Sequence, residues 1–242
     1  MTIPVFAPLF SGELAPYGDR FVLAADAPAP SPGRDLGDAT RLAELLALYS
    51  RQCPGGDRRA IASLWSKQHF ATLLPPYLAF ALMAQRAVDI DLAAIGCTFG
   101  PDGTTRHIHL HGIGSNAIPA DEGPRFMPLI QGHIEPMVLA LSAAAGISRK
   151  VVWSNAGNMF EFVLRRIERA IGVNDAVAEA LSFLESARLP NGKPNPLFKP
   201  VSYADPADGS GRQRRVCCIR YLVPGRSYCS TCPLPAARAA AG

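Results

Sequence analysis

No acidic residue occurs after Asp208, although that stretch carries Arg212, Arg214, Arg215, Arg220, Arg226 and Arg238. The C-terminal end is therefore locally positive in a chain whose formal net charge is only +4. So small an excess does not make a nucleic-acid binder, and no nucleic acid is expected as a partner. Long apolar runs are missing too. The nearest, Phe126 to Gly146, is interrupted by Gln131, His133 and Glu135, so no transmembrane helix is expected. Residues 1–15 lack a basic start and contain Pro4, Pro8 and Glu13, which argues against an export signal. The expected setting is a reducing cytoplasm, where cysteines are more often ligands or core residues than disulfides. Two nucleotide signatures are absent as well. There is no GxxxxGK followed by Ser or Thr, and no GxGxxG, so neither a phosphate loop nor Rossmann-type nicotinamide binding is expected.

What remains is a globular composition: 242 residues, 48% apolar and 18% charged. Residues 1–37 read as an N-terminal arm and a Pro/Ala-rich exposed linker. Residues 38–210 read as a mainly helical substrate-binding domain, and 211–242 as a C-terminal metal-binding segment. A helix is expected after Asp38, with Leu42, Leu45, Leu46 and Tyr49 on one face and a stop at Cys53-Pro54-Gly55-Gly56. A second should run from Asp57 to about Phe70, where Pro75 and Pro76 reset the chain. A third, central one should cover Tyr77 to Val88. Alternation predicts strands at Val88–Leu92, Ile95–Phe99 and Arg106–Gly112, the last two joined in a hairpin by Pro101-Asp102-Gly103. After a loop at 112–123, further helices are expected from Pro124 to Ala145 with a kink at Pro128 or Pro136, from Ser148 to about Ile171, and from Asn174. The fold class is α+β: a mostly helical domain with a small antiparallel sheet and an irregular C-terminal segment.

Four of the six cysteines lie in that segment, at Cys217, Cys218, Cys229 and Cys232, a C-C-x10-C-x2-C spacing. Cys229-x2-Cys232 is an ordinary metal-binding turn, and Pro224-Gly225 lets the chain fold back. Extended backbone would point Cys217 and Cys218 to opposite faces, so a tight turn is needed to aim both at one centre. Spacing leaves three metal centres open: zinc, 4Fe-4S and 2Fe-2S. Of the other two cysteines, Cys97 alternates with apolar residues and reads as core, while Cys53 precedes a turn and reads as exposed.

The segment Val216-Cys217-Cys218-Ile219-Arg220 through Gly225 to Tyr228-Cys229-Ser230-Thr231-Cys232-Pro233 resembles the C-terminal signature of the FhuF-like ferric siderophore reductases. It covers under a tenth of the chain. The resemblance implies a 2Fe-2S cluster on the four cysteines. It further implies a cytoplasmic oxidoreductase that passes one electron to Fe(III) in a hydroxamate-type siderophore. Fe(II) would then leave, because hard oxygen donors hold it less well. With no nucleotide motif, electrons would come from an external donor protein or flavin reductase. Peripheral contact with the inner membrane, near an importer, is compatible with this role. Two readings compete: a non-enzymatic zinc-stabilised binding or scaffold protein in siderophore metabolism, and a siderophore-biosynthetic enzyme, which the missing phosphate loop disfavours. Arg215, Arg220 and Arg226 would raise the cluster potential, attract an anionic ferric complex or dock the donor.

Other candidates are weaker. His107, His109 and His111 alternate on one expected strand and would share a face; three such histidines can form a metal site, His109 and His111 are candidate substrate contacts, and ordinary strand histidines are the competing reading. His133 and Glu135 interrupt an apolar helical run, which suggests a buried hydrogen bond or a pocket wall. Trp153 and Asn155, with Asn158 one turn on, mark a helix that either contacts a ligand or orders a neighbouring loop.

Overall fold

A computed structural model describes residues 3–26, 30–115, 125–205 and 210–235. Its frame is a set of five α-helices: α1 (Ala39–Ser50), α2 (Arg58–Leu78), α3 (Glu135–Ala145), α4 (Arg149–Ile171) and α5 (Asp175–Glu185). The caps are those the sequence predicts. Asp38 accepts from the Arg41 N–H, Asn174 accepts from the Val177 N–H, and Gly146 closes α3 in the left-handed region at φ 66°. Ser148 stands at the start of α4, without a side-chain cap bond.

Helix α2 is central, and it departs from expectation. It does not stop near Phe70 but runs through Pro75 and Pro76 to Leu78, then widens into a π-helical turn at Ala79–Met83. Two prolines remove two backbone bonds, a cost of about 3 kcal/mol or more each in an isolated helix. Here every residue from Thr72 to Leu78 is buried. Each apolar side chain buried contributes roughly 1.5–3 kcal/mol, so packing outweighs the local penalty. The expected separate helix at Tyr77–Val88 is therefore the end of α2. A second π-helical turn, Leu129–Ile134, leads directly into α3 with Pro136 in its first turn. The residues before Arg125, including the expected start at Pro124 and most of the loop at 112–123, lie outside the described residues.

The sheet is β1 (Phe21–Leu23), β2 (Ser31–Pro32), β3 (Ile95–Phe99) and β4 (Thr105–Leu110), in the order β1-β4-β3-β2. The expected hairpin β3–β4 pairs Cys97 with Ile108, and Trp65 of α2 donates its indole N–H to Gly103 O in the turn at 2.8 Å. The stretch Val88–Leu92 is not a strand: Ala87 alone bridges to Ser115, and Asp89 and Asp91 accept from backbone N–H groups two residues on, forming turns. The N-terminal arm supplies β1 instead, parallel to β4, with Phe21 opposite Ile108. The stretch expected as an exposed linker is packed where it is described. Leu36 is fully buried, and a Cβ on Gly33 would lie 2.5 Å from the Ile95 side chain. A two-stranded ribbon, β5 (Val201–Ser202) with β6 (Gln213–Arg214), delivers the chain to the cysteines. No helix among the described residues is long and apolar enough to cross a membrane.

Candidate metal centre

The cysteine segment sits across α2 and α4. Ser63 of α2 donates its hydroxyl to Cys218 O at 2.7 Å, and Ser154 of α4 donates to Val216 O at 3.3 Å. Ile219 takes the left-handed conformation (φ 51°, ψ 16°), which supplies the tight turn that adjacent cysteines require. Its N–H donates to Cys217 Sγ at 3.3 Å. At the other end the Cys232 N–H bonds Cys229 O at 3.0 Å, closing the Cys-x2-Cys turn. Cys53, expected to be exposed, is buried beneath this region, where the Asp57 N–H bonds Leu222 O at 3.2 Å and brings the following loop over it. Cys97 is in the core as expected.

The sulfurs stand in two pairs: Cys217 with Cys232 at 3.7 Å, and Cys218 with Cys229 at 4.0 Å. Two thiolates about 2.3 Å from one tetrahedral metal lie about 3.8 Å apart, so each pair has the span of two ligands on one ion. Two such pairs suit a binuclear centre with two thiolates per iron. The Cys218 thiol is held below the usual range by a hydrogen bond with Cys229 first, then by Lys67, the Arg220 N–H and Arg214 against the effect of burial. Cys229, its partner, is raised in return, and burial raises Cys217.

The sequence reading missed Arg214, which is 1% exposed. Its guanidinium donates to Asn155 Oδ1 at 2.6 Å and Ser154 Oγ at 3.2 Å, and its Nε has no partner. Among the described residues no carboxylate pairs with it, and the charges that favour its protonated form against burial are Cys218, Cys229 and Cys217. A buried cation needs a counter-charge, and the cysteine sulfurs, once deprotonated by a metal, would supply it. Asn155 holds the arginine in place, its amide donating to Ser63 O, Ser63 Oγ and Ser66 Oγ at 3.1, 3.0 and 2.9 Å. The lack of any acidic residue beyond Asp208 was the one sequence signal for such a cation.

The remaining candidates separate. Arg220 and Arg226 line a cavity of about 300 Å³ on the Cys218 side, between α1, α2 and α4. Arg215 and Trp153 line another, of about 550 Å³, beside Val216. His109 is buried on β4 against the Thr98 hydroxyl, and His111 is exposed just past the strand; neither lines either cavity. His133 makes the expected buried hydrogen bond: its Nδ1–H donates to Ile90 O at 2.8 Å, and its Nε2 meets His69 Nε2 at 2.9 Å. Arg238 lies outside the described residues.

Known proteins match this arrangement. Residues 214–234 match the model of the FhuF 2Fe-2S C-terminal domain, so the paired cysteines lie in a 2Fe-2S-binding segment. A curated relative, a ferric siderophore reductase of Escherichia coli (strain K12), is 28% identical over 246 residues, covering 96% of this chain and 91% of the relative. Residues 63–211, from the second turn of α2 to the start of the cysteine segment, match the ferric iron reductase FhuF-like transporter model, and the chain belongs to that family.

Proposed function

We propose that this protein is a ferric siderophore reductase in which Cys217, Cys218, Cys229 and Cys232 hold the 2Fe-2S cluster. The observation that carries the reading is the pairing of the four sulfurs near a buried arginine that has no carboxylate partner among the described residues. Bound there, the cluster supplies one electron at a time. The chain's own groups do the rest. Arg214 offsets the negative charge of the thiolates. The N–H groups of Ile219 and Arg220 point at sulfur, and Ser63 and Ser154 pin the segment to α2 and α4. One electron converts Fe(III) in a hydroxamate-type siderophore to Fe(II), which hard oxygen ligands hold less well, so the metal leaves an intact chelator. The electron is restored by an external donor protein or flavin reductase, for which Arg215 and Trp153 offer a contact beside Val216. The setting is cytoplasmic, with peripheral contact at the inner membrane.

Anaerobically purified protein should be coloured, contain two irons, and give an electron paramagnetic resonance signal on reduction. Mixed with a ferric trihydroxamate, the pre-reduced protein should reoxidise and release one Fe(II) per chain to a ferrous trap. Cys229→Ser should abolish both colour and transfer. A colourless protein holding one zinc, or a reduced cluster left unchanged by the ferric complex, would overturn the proposal.

A further inference from the structure

The cavity beside Cys218 has three properties that together specify a ligand. It is basic: Lys67 of α2 and Arg220 and Arg226 of the cysteine loop line it, no carboxylate does, and none of the three cations forms an ion pair among the described residues. It is incompletely satisfied. Arg220 Nε and Asn158 Oδ1, on two residues that line it, are buried without a hydrogen-bond partner, so either would meet a ligand only after its side chain turns toward the cavity. It also lies beside the electron carrier: Arg220 is two residues from Cys218, and Asn155, another lining residue, donates to Ser63, whose hydroxyl donates to Cys218 O. A second cavity of about 300 Å³ adjoins it, sharing Gln52 and Gln68; its one carboxylate, Asp102, is occupied by Arg106 at 3.1 Å. The two offer room for a chelate of drug size.

A ferric trihydroxamate shell is itself neutral, and three unpaired cations contribute nothing to holding a neutral complex. Cations at low dielectric attract an anion and repel a cation. We propose that this cavity is the chelate site, and that it selects ferric siderophores bearing a free carboxylate in addition to their iron-binding groups. The carboxylate meets Lys67, Arg220 and Arg226, while amide groups of the chelator meet Gln52 and Gln68. The inference rests on the reductase reading and adds the charge class of the substrate to it.

The test uses the full-length, cluster-loaded protein, kept oxidised. It is titrated calorimetrically with one linear ferric trihydroxamate whose terminal amine is free, acetylated or succinylated, giving net charges of about +1, 0 and −1 on one iron shell. The succinylated form is expected to bind about tenfold tighter than the free amine, with the acetylated form between, and the gradient should shrink in roughly 0.5 M salt. Lys67→Gln with Arg226→Gln should flatten it, with an unchanged visible spectrum as the check on folding and loading. Should that pair fail to load, Arg226→Glu alone should weaken the succinylated form selectively. A flat or reversed order in the unaltered protein overturns the charge preference. A gradient that survives both sets of variants places the site elsewhere. If no ferric form binds a loaded protein, the reductase reading itself fails.

Discussion

At the scale of single residues, Arg214 decides more than its neighbours. A 2Fe-2S centre on four thiolates has a formal charge of about −2, which becomes about −3 on accepting an electron. A buried cation beside it stabilises the more negative, reduced form and so raises the potential. Arg214→Gln should lower the midpoint potential by on the order of 100 mV, and Arg214→Lys by less, in a spectroelectrochemical titration followed in the visible range. An unchanged potential in a loaded Arg214→Gln protein would remove the arginine from this role. The four cysteines were legible because spacing alone brings thiols together. Arg214 was not, because six C-terminal arginines look alike in sequence, and only the fold turns one inward onto Asn155 while leaving Arg215 exposed. Asn155, expected either to contact a ligand or to order a neighbouring loop, holds Arg214 and also lines the cavity beside Arg220.

At the scale of elements, the helix caps at Asp38, Asn174 and Gly146 were readable from local chemistry, as was the β3–β4 hairpin from alternation. Elements that depend on distant partners were not. Strand β1 is three residues long, too short to show a period, and exists because β4 offers it an edge. Helix α2 passes its prolines because the core surrounds it. That core also contains a polar chain crossing three elements. The His133 Nδ1–H is committed to Ile90 O, so its Nε2 accepts from the His69 Nε2–H, and His69 Nδ1 is left to accept from the Thr105 hydroxyl. Burial holds both imidazoles neutral: His133 is lowered to about 4, and His69 is lowered by burial and then by His133. The unfolded chain binds protons on both near pH 6.5 and the folded chain does not, so their contribution to stability is full above that pH and is lost as pH falls towards 4. Denaturant titrations should show a loss of a few kcal/mol across that window. His133→Asn should lower stability at neutral pH and flatten the slope.

At the scale of the whole molecule, the cysteine segment contributes to two cavities, one lined by Lys67, Arg220 and Arg226 and the other by Arg215, Trp153 and Lys150. Under the proposed function, one would serve the substrate and the other the electron donor. Arg215→Glu should slow reduction by an acidic donor protein about fivefold at low salt and have little effect on reduction by dithionite. Equal slowing with both reductants would mean that the substitution disturbs the centre itself. The nested pairing of the sulfurs has a further consequence. Each pair joins one cysteine from the start of the loop to one from its end. The intervening loop, which bears Arg220 and Arg226, is held by Ser63 on Cys218 O and by the Asp57 N–H on Leu222 O, and iron would add a clamp at both of its ends. Stripped of iron, the protein should bind the ferric chelate more weakly by calorimetry than the loaded form. A chain with no electron to give would thereby be kept from sequestering a nutrient it cannot release.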